Sequence, residues 1–158
     1  MRAAPDVRRA TPADLHALTA LWIEITRHHE PLDSLYRLRP GAETRVRELL
    51  GRLLRDPDSA FFVCEAEGEV VGMSGARIER APPILLEVER AEITDLGVRA
   101  NRRRRGIGRA LAEAALAWVR ERGVARVEVR VAVGNPEGDA FWQALGFAEH
   151  VAVLQRRA

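Results

Sequence analysis

The chain has no lysine, one cysteine and few aromatic residues. All 25 of its basic residues are therefore arginine, and 5% of its residues are aromatic. The single cysteine, Cys64, excludes an internal disulfide and favours a reducing compartment. A P-loop nucleotide-binding motif ends in Gly-Lys-Ser/Thr, so the absence of lysine excludes that motif.

Long apolar runs are also missing. No run approaches the roughly 20 residues that span a bilayer, and the segment Met1–Asp6 lacks the apolar stretch of a signal peptide. We therefore expect a cytoplasmic protein with no membrane partner. A length of 158 residues fits a single domain over residues 1–158. The net charge of +2 attracts nucleic acid only weakly over long range, so we do not expect a nucleic-acid partner.

The apolar residues predict alternating strands and helices. Helical spacing predicts a first helix from Thr11 to about residue 28 and a second helix around residues 46–54. A third long helix follows Gly106 and ends near Gly123, and a short helix follows Pro136. Strand patterns occur at 7–10, 60–65, 70–78, 85–98, 127–133 and 148–155. The order β-α-α-β-β-β-α-β-α-β predicts a mixed α/β domain.

A basic turn containing two glycines follows the strand that ends at Val98. It reads Arg103-Arg104-Arg105-Gly106-Ile107-Gly108-Arg109 and opens the third helix. A helix start offers unpaired N–H groups and about half a positive charge. Glycines let the backbone approach a ligand closely, and arginines add charge-assisted hydrogen bonds. The turn therefore predicts a binding site for a phosphorylated ligand. A solvated charged turn and a weak nucleic-acid-binding patch are the alternatives.

The spacing of this turn separates the phosphate-binding families. The dinucleotide fingerprint Gly-x-Gly-x-x-Gly/Ala fits poorly, because Leu111 stands at its third position. The pattern Gln/Arg-x-x-Gly-x-Gly/Ala is met by Arg103, Gly106 and Gly108. A second motif lies downstream and consists of Asn135, the pair Phe141-Trp142, and Leu145-Gly146-Phe147.

Together the two motifs resemble those of the GCN5-related N-acetyltransferase (GNAT) superfamily. The resemblance is clear over about residues 60–150 and extends elsewhere in element order. It implies a mostly antiparallel mixed sheet flanked by helices, with acetyl-CoA as the co-substrate and no metal. It also implies a small-molecule or peptide amine as the acceptor and, since dimers are common in the family, a homodimer.

The resemblance further implies which residues hold the cofactor. The turn 103–109 would bind the pyrophosphate of coenzyme A, and the main chain of Leu96 and Val98 would pair with its pantetheine arm like an added strand. Core packing is the other role of those two side chains, and both roles are compatible. Gly97 would mark a bulge or a close backbone approach in this strand. Asn135 would hydrogen-bond the cofactor arm or cap the helix that follows it.

Acetyl transfer to an amine also needs a base, because a lysine-type amine has a pKa of about 10.4. Glu92 stands eleven residues before Arg103 in an Ala-Glu-Ile context. Histone-type GNAT enzymes carry their general base at that spacing, so the resemblance implies this role for Glu92. Strict alternation would place Glu92 in phase with Leu96 and Val98. A solvated strand carboxylate is the alternative for Glu92. Asp95 ranks second as base, because it points to the opposite face unless a bulge intervenes.

The departing thiolate is the last chemical problem. Many GNAT members place a tyrosine, as general acid, where this chain has Trp142. The indole N–H donates hydrogen bonds but has no practical acidity, so we expect Trp142 to pack along the pantetheine arm or the acceptor. Tyr36, the only tyrosine, or a water could supply the proton, and a thiol pKa near 8.5 also permits unassisted departure. The sequence thus predicts direct ternary-complex transfer, with a non-catalytic acyl-CoA-binding regulatory module as the alternative.

Overall fold

The computed structural model describes residues 4–156. Its strands are β1 (Asp6–Arg9), β2 (Ser59–Ala66), β3 (Glu69–Arg80), β4 (Glu89–Val98) and β5 (Val127–Val129). Its α-helices are α1 (Leu15–His29), α2 (Ala42–Leu53), α3 (Ile107–Glu121) and α4 (Pro136–Gln143). The five strands form one sheet in the order β1-β2-β3-β4-β5, in which only the β4–β5 pair is parallel. A mostly antiparallel mixed sheet flanked by helices confirms the predicted fold class.

Each face of the sheet buries its own apolar cluster. On one face α3 contributes Leu111, Ala115 and Val119, all inaccessible to solvent. On the other face α1 and α2 bury Leu18, Leu21 and Leu50 together with Met73 of β3. Removing this apolar surface from water is the main force that holds the helices on the sheet. None of the helices between residues 4 and 156 is long and apolar enough to cross a bilayer.

β4 carries one extra residue opposite β3. Gly75 pairs with Asp95 and Ala76 pairs with Ile93, which leaves Thr94 without a partner in the ladder. A bulge interrupts the alternation of side chains between the two faces of a strand. The bulge in β4 therefore lies at Thr94.

The bulge changes which β4 side chains share a face. Leu96 and Val98 pack on the cluster formed with α3. Glu92 instead pairs in register with Arg77 and faces the α1 side together with Asp95. The expectation that Glu92 is in phase with Leu96 and Val98 is therefore wrong. Gly97 pairs regularly with Met73 and marks the close approach of a helix, so the bulge does not lie at this glycine.

The last two predicted strands differ from the structure. β5 ends at Val129 instead of residue 133, and no strand is assigned between residues 144 and 156. The predicted strand 148–155 does not form, and its Val151, Val153 and Leu154 are exposed. Alternation of apolar residues is not sufficient for a strand, because a strand also needs a neighbour to take its backbone hydrogen bonds.

An ion pair ties β1 to the start of α1. Arg8 Nη1 and Nη2 donate to Asp14 Oδ2 and Oδ1 at 2.8 Å each. The Thr11 backbone N–H also donates to Asp14 Oδ2 at 2.8 Å, which caps a short 3-10 helix at Pro12–Asp14. The α-helix itself begins at Leu15, four residues later than the predicted start. The Arg8 guanidinium lowers the pKa of the buried Asp14 carboxyl to about 2.

Candidate active site

β4 and β5 pair over a short length and then separate. Their three pairs end at Ile93 and Val129, whereas β4 continues along β3 to Val98. The edge of β4 from Thr94 onward is therefore free of β5. It forms the floor of a cleft of about 1440 Å³, walled by α1, α4, the segment 35–46 and the turn before α3.

The turn before α3 presents backbone N–H groups at one end of this cleft. Arg104 and Gly106 have left-handed φ angles of 59° and 80°, which curl the chain. The N–H of Ala110 donates to Gly106 O at 3.0 Å, so the N–H groups of residues 107–109 have no helical acceptor. Gly108 lies beside α4, where a methyl group would make an ordinary contact with Phe141 Cε2 at 3.4 Å. Such a concave set of N–H groups at the positive end of a helix can bind a phosphate.

The arginines of the turn take different positions. Arg103 lines the cleft, and its Nε donates to Val98 O at 3.1 Å. Arg104 and Arg109 also line the cleft and remain exposed. Arg105 does not line it. Arg102, which lines the cleft, is held instead by a salt bridge to Glu67.

The second sequence motif forms another wall of the cleft, next to the turn. The Trp142 ring packs edge-on against Phe141 and Phe147, with centroids 5.0 and 5.1 Å away. Asn135 Oδ1 accepts a hydrogen bond from Gly138 N–H at 3.0 Å and so caps α4. Both Trp142 and Asn135 line the cleft. The aromatic wall offers an apolar surface to the chain of a bound ligand.

Asp95 supplies a carboxylate on the cleft floor. Thr94 Oγ1 donates to Asp95 Oδ2 at 2.7 Å. Burial raises the pKa of Asp95, and hydrogen bonding to Thr94 and the Trp22 indole opposes that rise. Trp22 was not singled out by the sequence, because only the bulge turns Asp95 towards α1. A carboxylate whose burial favours the protonated form is suited to accept a proton.

Glu92 has a different environment. Its Oε2 accepts from Arg77 Nη2 at 3.0 Å, and its Oε1 lies 3.1 Å from Arg130 Nε. Glu92 is 8% exposed and is not among the residues that line the cleft. The sequence does not single out Arg77 or Arg130, because strand register and the separation of β5 from β4 bring them to Glu92.

Tyr36 and two histidines complete the wall formed by α1. The Tyr36 ring lies 5.3 Å from that of His29, and both line the cleft. His29 Nδ1 lies 2.7 Å from Ile25 O, so Nδ1 carries the proton in this hydrogen bond. Burial and the nearby Arg103 lower the pKa of His28. No group of three or more His, Cys, Asp or Glu side chains within residues 4–156 could hold a metal ion.

The predicted site residues thus come together except for two. Glu92 and Arg105 lie outside the cleft lining, whereas the other predicted residues contribute to one continuous surface. These residues are Tyr36, Leu96, Gly97, Val98, Arg103, Arg104, Gly106, Ile107, Gly108, Arg109, Asn135 and Trp142.

Comparisons with known proteins agree with this architecture. The chain is 29% identical to aminoglycoside N(6')-acetyltransferase type 1 of Stenotrophomonas maltophilia, over 98% of this chain and 93% of that protein. A mutant of the BH1408 protein from Bacillus halodurans superposes with a TM-score of 0.85 at 22% identity, covering 97% and 99% of the two chains. Aminoglycoside N-acetyltransferase AAC(6')-Iy in complex with CoA gives a TM-score of 0.78 at 20% identity, covering 100% and 97%.

The sequence profile of the acetyltransferase (GNAT) family matches residues 16–147, which is most of the chain. The relatives are N-acetyltransferases, and the family makes acetyl-CoA the co-substrate. The chain belongs to the acetyltransferase (GNAT) family and is an N-acetyltransferase.

Proposed function

We propose that this enzyme transfers the acetyl group of acetyl-CoA directly to a primary amine of a small molecule. One observation carries the proposal: a single cleft joins the N–H groups of the turn, the free edge of β4 and the Asp95 carboxylate. A small-molecule amine fits the aminoglycoside acetyltransferase to which the chain is similar. Direct transfer fits AAC(6')-Iy, which has also been solved with a CoA bisubstrate analogue. The free Cys64 fits a reducing cytoplasm.

The residues of the cleft fit coenzyme A along its length. Its pyrophosphate would lie on the N–H groups of residues 107–109, beside Arg103 and Arg104. Its pantetheine amides would pair with the β4 backbone near Leu96, where β5 offers no partner. The Trp142 ring would cover the apolar part of the arm. When bound, acetyl-CoA would supply the activated acyl group.

Asp95 is the proposed general base. The amine nitrogen attacks the thioester carbonyl carbon, the carbon–sulfur bond breaks, and the proton leaving nitrogen passes to Asp95. Its raised pKa makes this carboxylate a better proton acceptor than an ordinary aspartate. Glu92, the base that the resemblance implies, does not line the cleft and is held by Arg77 and Arg130. Its proposed part is to position Arg77 and Arg130.

Tyr36 is the proposed proton donor to the sulfur. It lines the cleft, and the cleft contains no other tyrosine. Transfer of the phenolic proton would neutralise the departing thiolate, and water would then restore the tyrosine. Trp142 cannot perform this step, because an indole N–H does not ionise in this pH range.

The test compares three variants for thiol release with a panel of amines. Asp95→Asn should lower kcat by about 100-fold or more while the Kd for acetyl-CoA stays unchanged. The matched control is Glu137→Gln, which removes the other cleft carboxylate, near Arg104, and should keep kcat. A full loss of kcat in Glu92→Gln together with an active Asp95→Asn would transfer the base role to Glu92.

The second candidate from the sequence, a non-catalytic acyl-CoA-binding module, rests on Trp142 alone and disagrees with the identification of the chain as an N-acetyltransferase. This candidate predicts that acetyl-CoA binds in calorimetry while no amine in the panel releases thiol. Turnover with any amine excludes it.

A further inference from the structure

We propose that the acceptor amine carries an anionic group, a carboxylate or a phosphate, bound by arginines at the Asp95 end of the cleft. This inference rests on the proposed function and names the chemical class of its acceptor. It depends on where the cations and carboxylates of the cleft lie along its length.

Helix α1 gives the cleft a direction. His28 interacts electrostatically with Arg103 and Glu137, so this end of α1 lies at the phosphate turn. Trp22 interacts with Asp95. Trp22 precedes His28 by six residues, or about 9 Å along the helix axis. The Asp95 end is therefore separated from the end that would hold the pyrophosphate.

Helix α2 places an arginine at the Asp95 end. A methyl group on Gly51 would contact Leu15 Cδ2 at 3.7 Å, near the start of α1. Residues near the start of α2 line the cleft together with Ile25 and His29, near the end of α1, so the two helices run antiparallel. Arg45 is six residues before Gly51 and thus lies level with the part of α1 around Trp22. Arg45 is exposed and lines the cleft.

Further arginines line the same cleft, and two of them flank Leu38, whose N–H donates to Glu30 Oε1 at 3.2 Å beside the end of α1. Arg37 and Arg39 line the cleft from the segment between α1 and α2. Within residues 4–156, neither they nor Arg45 form an ion pair with a carboxylate. Arg130, also in the cleft lining, is 73% exposed in its side chain while its Nε contacts Glu92. Arg45 and Arg130 are thus the arginines at the Asp95 end, where Asp95 is the one carboxylate of the cleft lining within residues 4–156.

The balance of charge selects among amines. The carboxylate of Glu92 is already neutralised by Arg77 and Arg130, so it cannot attract a cationic acceptor. A polycationic amine would meet Arg45 and Arg130 beside one carboxylate, which disfavours its binding. An amine with a carboxylate or phosphate would place its nitrogen by Asp95 and its anion on the guanidinium groups, which bind such oxyanions in paired hydrogen bonds.

The first experiment uses matched pairs of amines with acetyl-CoA as donor. The pairs are O-phosphoethanolamine with ethanolamine, glycine with glycinamide, and L-phenylalanine with L-phenylalaninamide; spermidine and kanamycin serve as polycations. We expect kcat/KM to be higher for the anionic member of at least one pair, by roughly tenfold or more. Faster turnover of the uncharged or polycationic amines throughout overturns the inference and leaves the proposed function standing. No turnover of any amine overturns the proposed function itself.

The second experiment assigns the effect to the arginines. Arg45→Gln should raise KM for the preferred anionic acceptor roughly tenfold, with little change for its uncharged partner and an unchanged Kd for acetyl-CoA. The control is Arg47→Gln, an exposed arginine on α2 that does not line the cleft. The double variant Arg37→Gln/Arg39→Gln tests the connecting segment in the same way. Loss of acetyl-CoA affinity without a change in acceptor preference would show that these arginines serve the cofactor, and would overturn the inference.

Discussion

Gly97 of β4 lies directly against Ile25 of α1. A methyl group added at residue 97 would come within 2.2 Å of Ile25 Cγ1 and 2.3 Å of Ile25 Cδ1. The lack of a side chain at Gly97 therefore sets how closely α1 can approach the cleft floor. Because the proposed pantetheine site and Asp95 share this floor, the contact links helix packing to the dimensions of the site.

Substitution of Gly97 should disturb both stability and binding. Gly97→Ala should lower the free energy of unfolding by about 1–3 kcal/mol, because the β-branched Ile25 side chain has little rotamer freedom on a helix. Urea denaturation measures the loss, and calorimetry with acetyl-CoA should show weaker binding. The double variant Gly97→Ala/Ile25→Ala should be less destabilised than the sum of the single changes.

Gly51 of α2 provides the control for this substitution. A methyl group there meets only Leu15 Cδ2 at 3.7 Å, an ordinary contact. Gly51→Ala should therefore be neutral or raise stability by up to about 1 kcal/mol, through helix propensity. Equal stability of Gly97→Ala and the wild type would contradict the steric interpretation.

The Arg8–Asp14 pair should govern part of the acid stability. The pKa of Asp14 is 3.8 in the unfolded chain and about 2 in the folded protein, so folding favours the ionised carboxylate. This contribution, about 2 kcal/mol, is complete above pH 3.8 and is lost as the pH falls towards 2. Asp14→Asn should remove it at neutral pH and flatten the acid limb of stability in thermal unfolding.

Glu65, the second carboxylate that pairs with Arg8, provides the control for Asp14→Asn. Glu65 also pairs with Arg8 but is more exposed than Asp14. Glu65→Gln should cost less than about 1 kcal/mol. If the two variants have the same pH dependence as the wild type, Asp14 does not account for the acid limb.

Substitutions at Arg104 can distinguish an effect on folding from an effect on ligand binding, because the backbone at this residue is left-handed. Its φ of 59° suits glycine better than a residue with a Cβ atom. Arg104→Gly should therefore be more stable than Arg104→Ala by about 1 kcal/mol, while both lose the guanidinium that we place near the phosphates. Thermal unfolding gives the first comparison and acetyl-CoA titration the second. Equal stability of the two variants would show that the turn does not require this conformation.

Glu92 and Asp95 should respond differently to neutralisation. Glu92→Gln leaves Arg77 and Arg130 without their shared anion, so stability should fall by about 1–3 kcal/mol. Because Glu92 is not the proposed base, the acid limb of kcat/KM should remain. That limb should report the raised pKa of Asp95, with activity rising as the pH passes it, and should vanish in Asp95→Asn. Loss of the limb in Glu92→Gln alone would reverse the two roles.

Local sequence patterns predicted the features that depend only on residues close together in the chain. The glycines of the turn, the apolar stripe of α3 and the Asn135 cap all depend on neighbouring residues, and the structure places them as expected in kind. The predicted pairing of Thr11 with Asp14 forms for the same reason, since the two residues are three positions apart, although it caps a 3-10 helix before α1.

Such patterns could not predict strand register or contacts between residues that are far apart in the sequence. Strand alternation cannot reveal that Thr94 lacks a partner, because the bulge depends on the register with β3. Glu92 is held by ion pairs to Arg77 of β3 and to Arg130, the residue that follows β5. The expected last strand failed similarly, because its apolar residues could not show whether β5 would extend far enough to pair with them.

The unpaired residue in β4 makes this strand unusually tolerant of one kind of change in length. Removing Thr94 would restore a regular ladder and leave Glu92 and Asp95 facing α1, with Ile93 and Leu96 still facing α3. Deleting a residue elsewhere in β4 would instead move the side chains on one side of the deletion to the opposite face of the sheet. Charged groups would then enter an apolar cluster. A deletion at position 94 would thus shorten the chain and reshape the cleft floor without disrupting the apolar clusters on the two faces of the sheet.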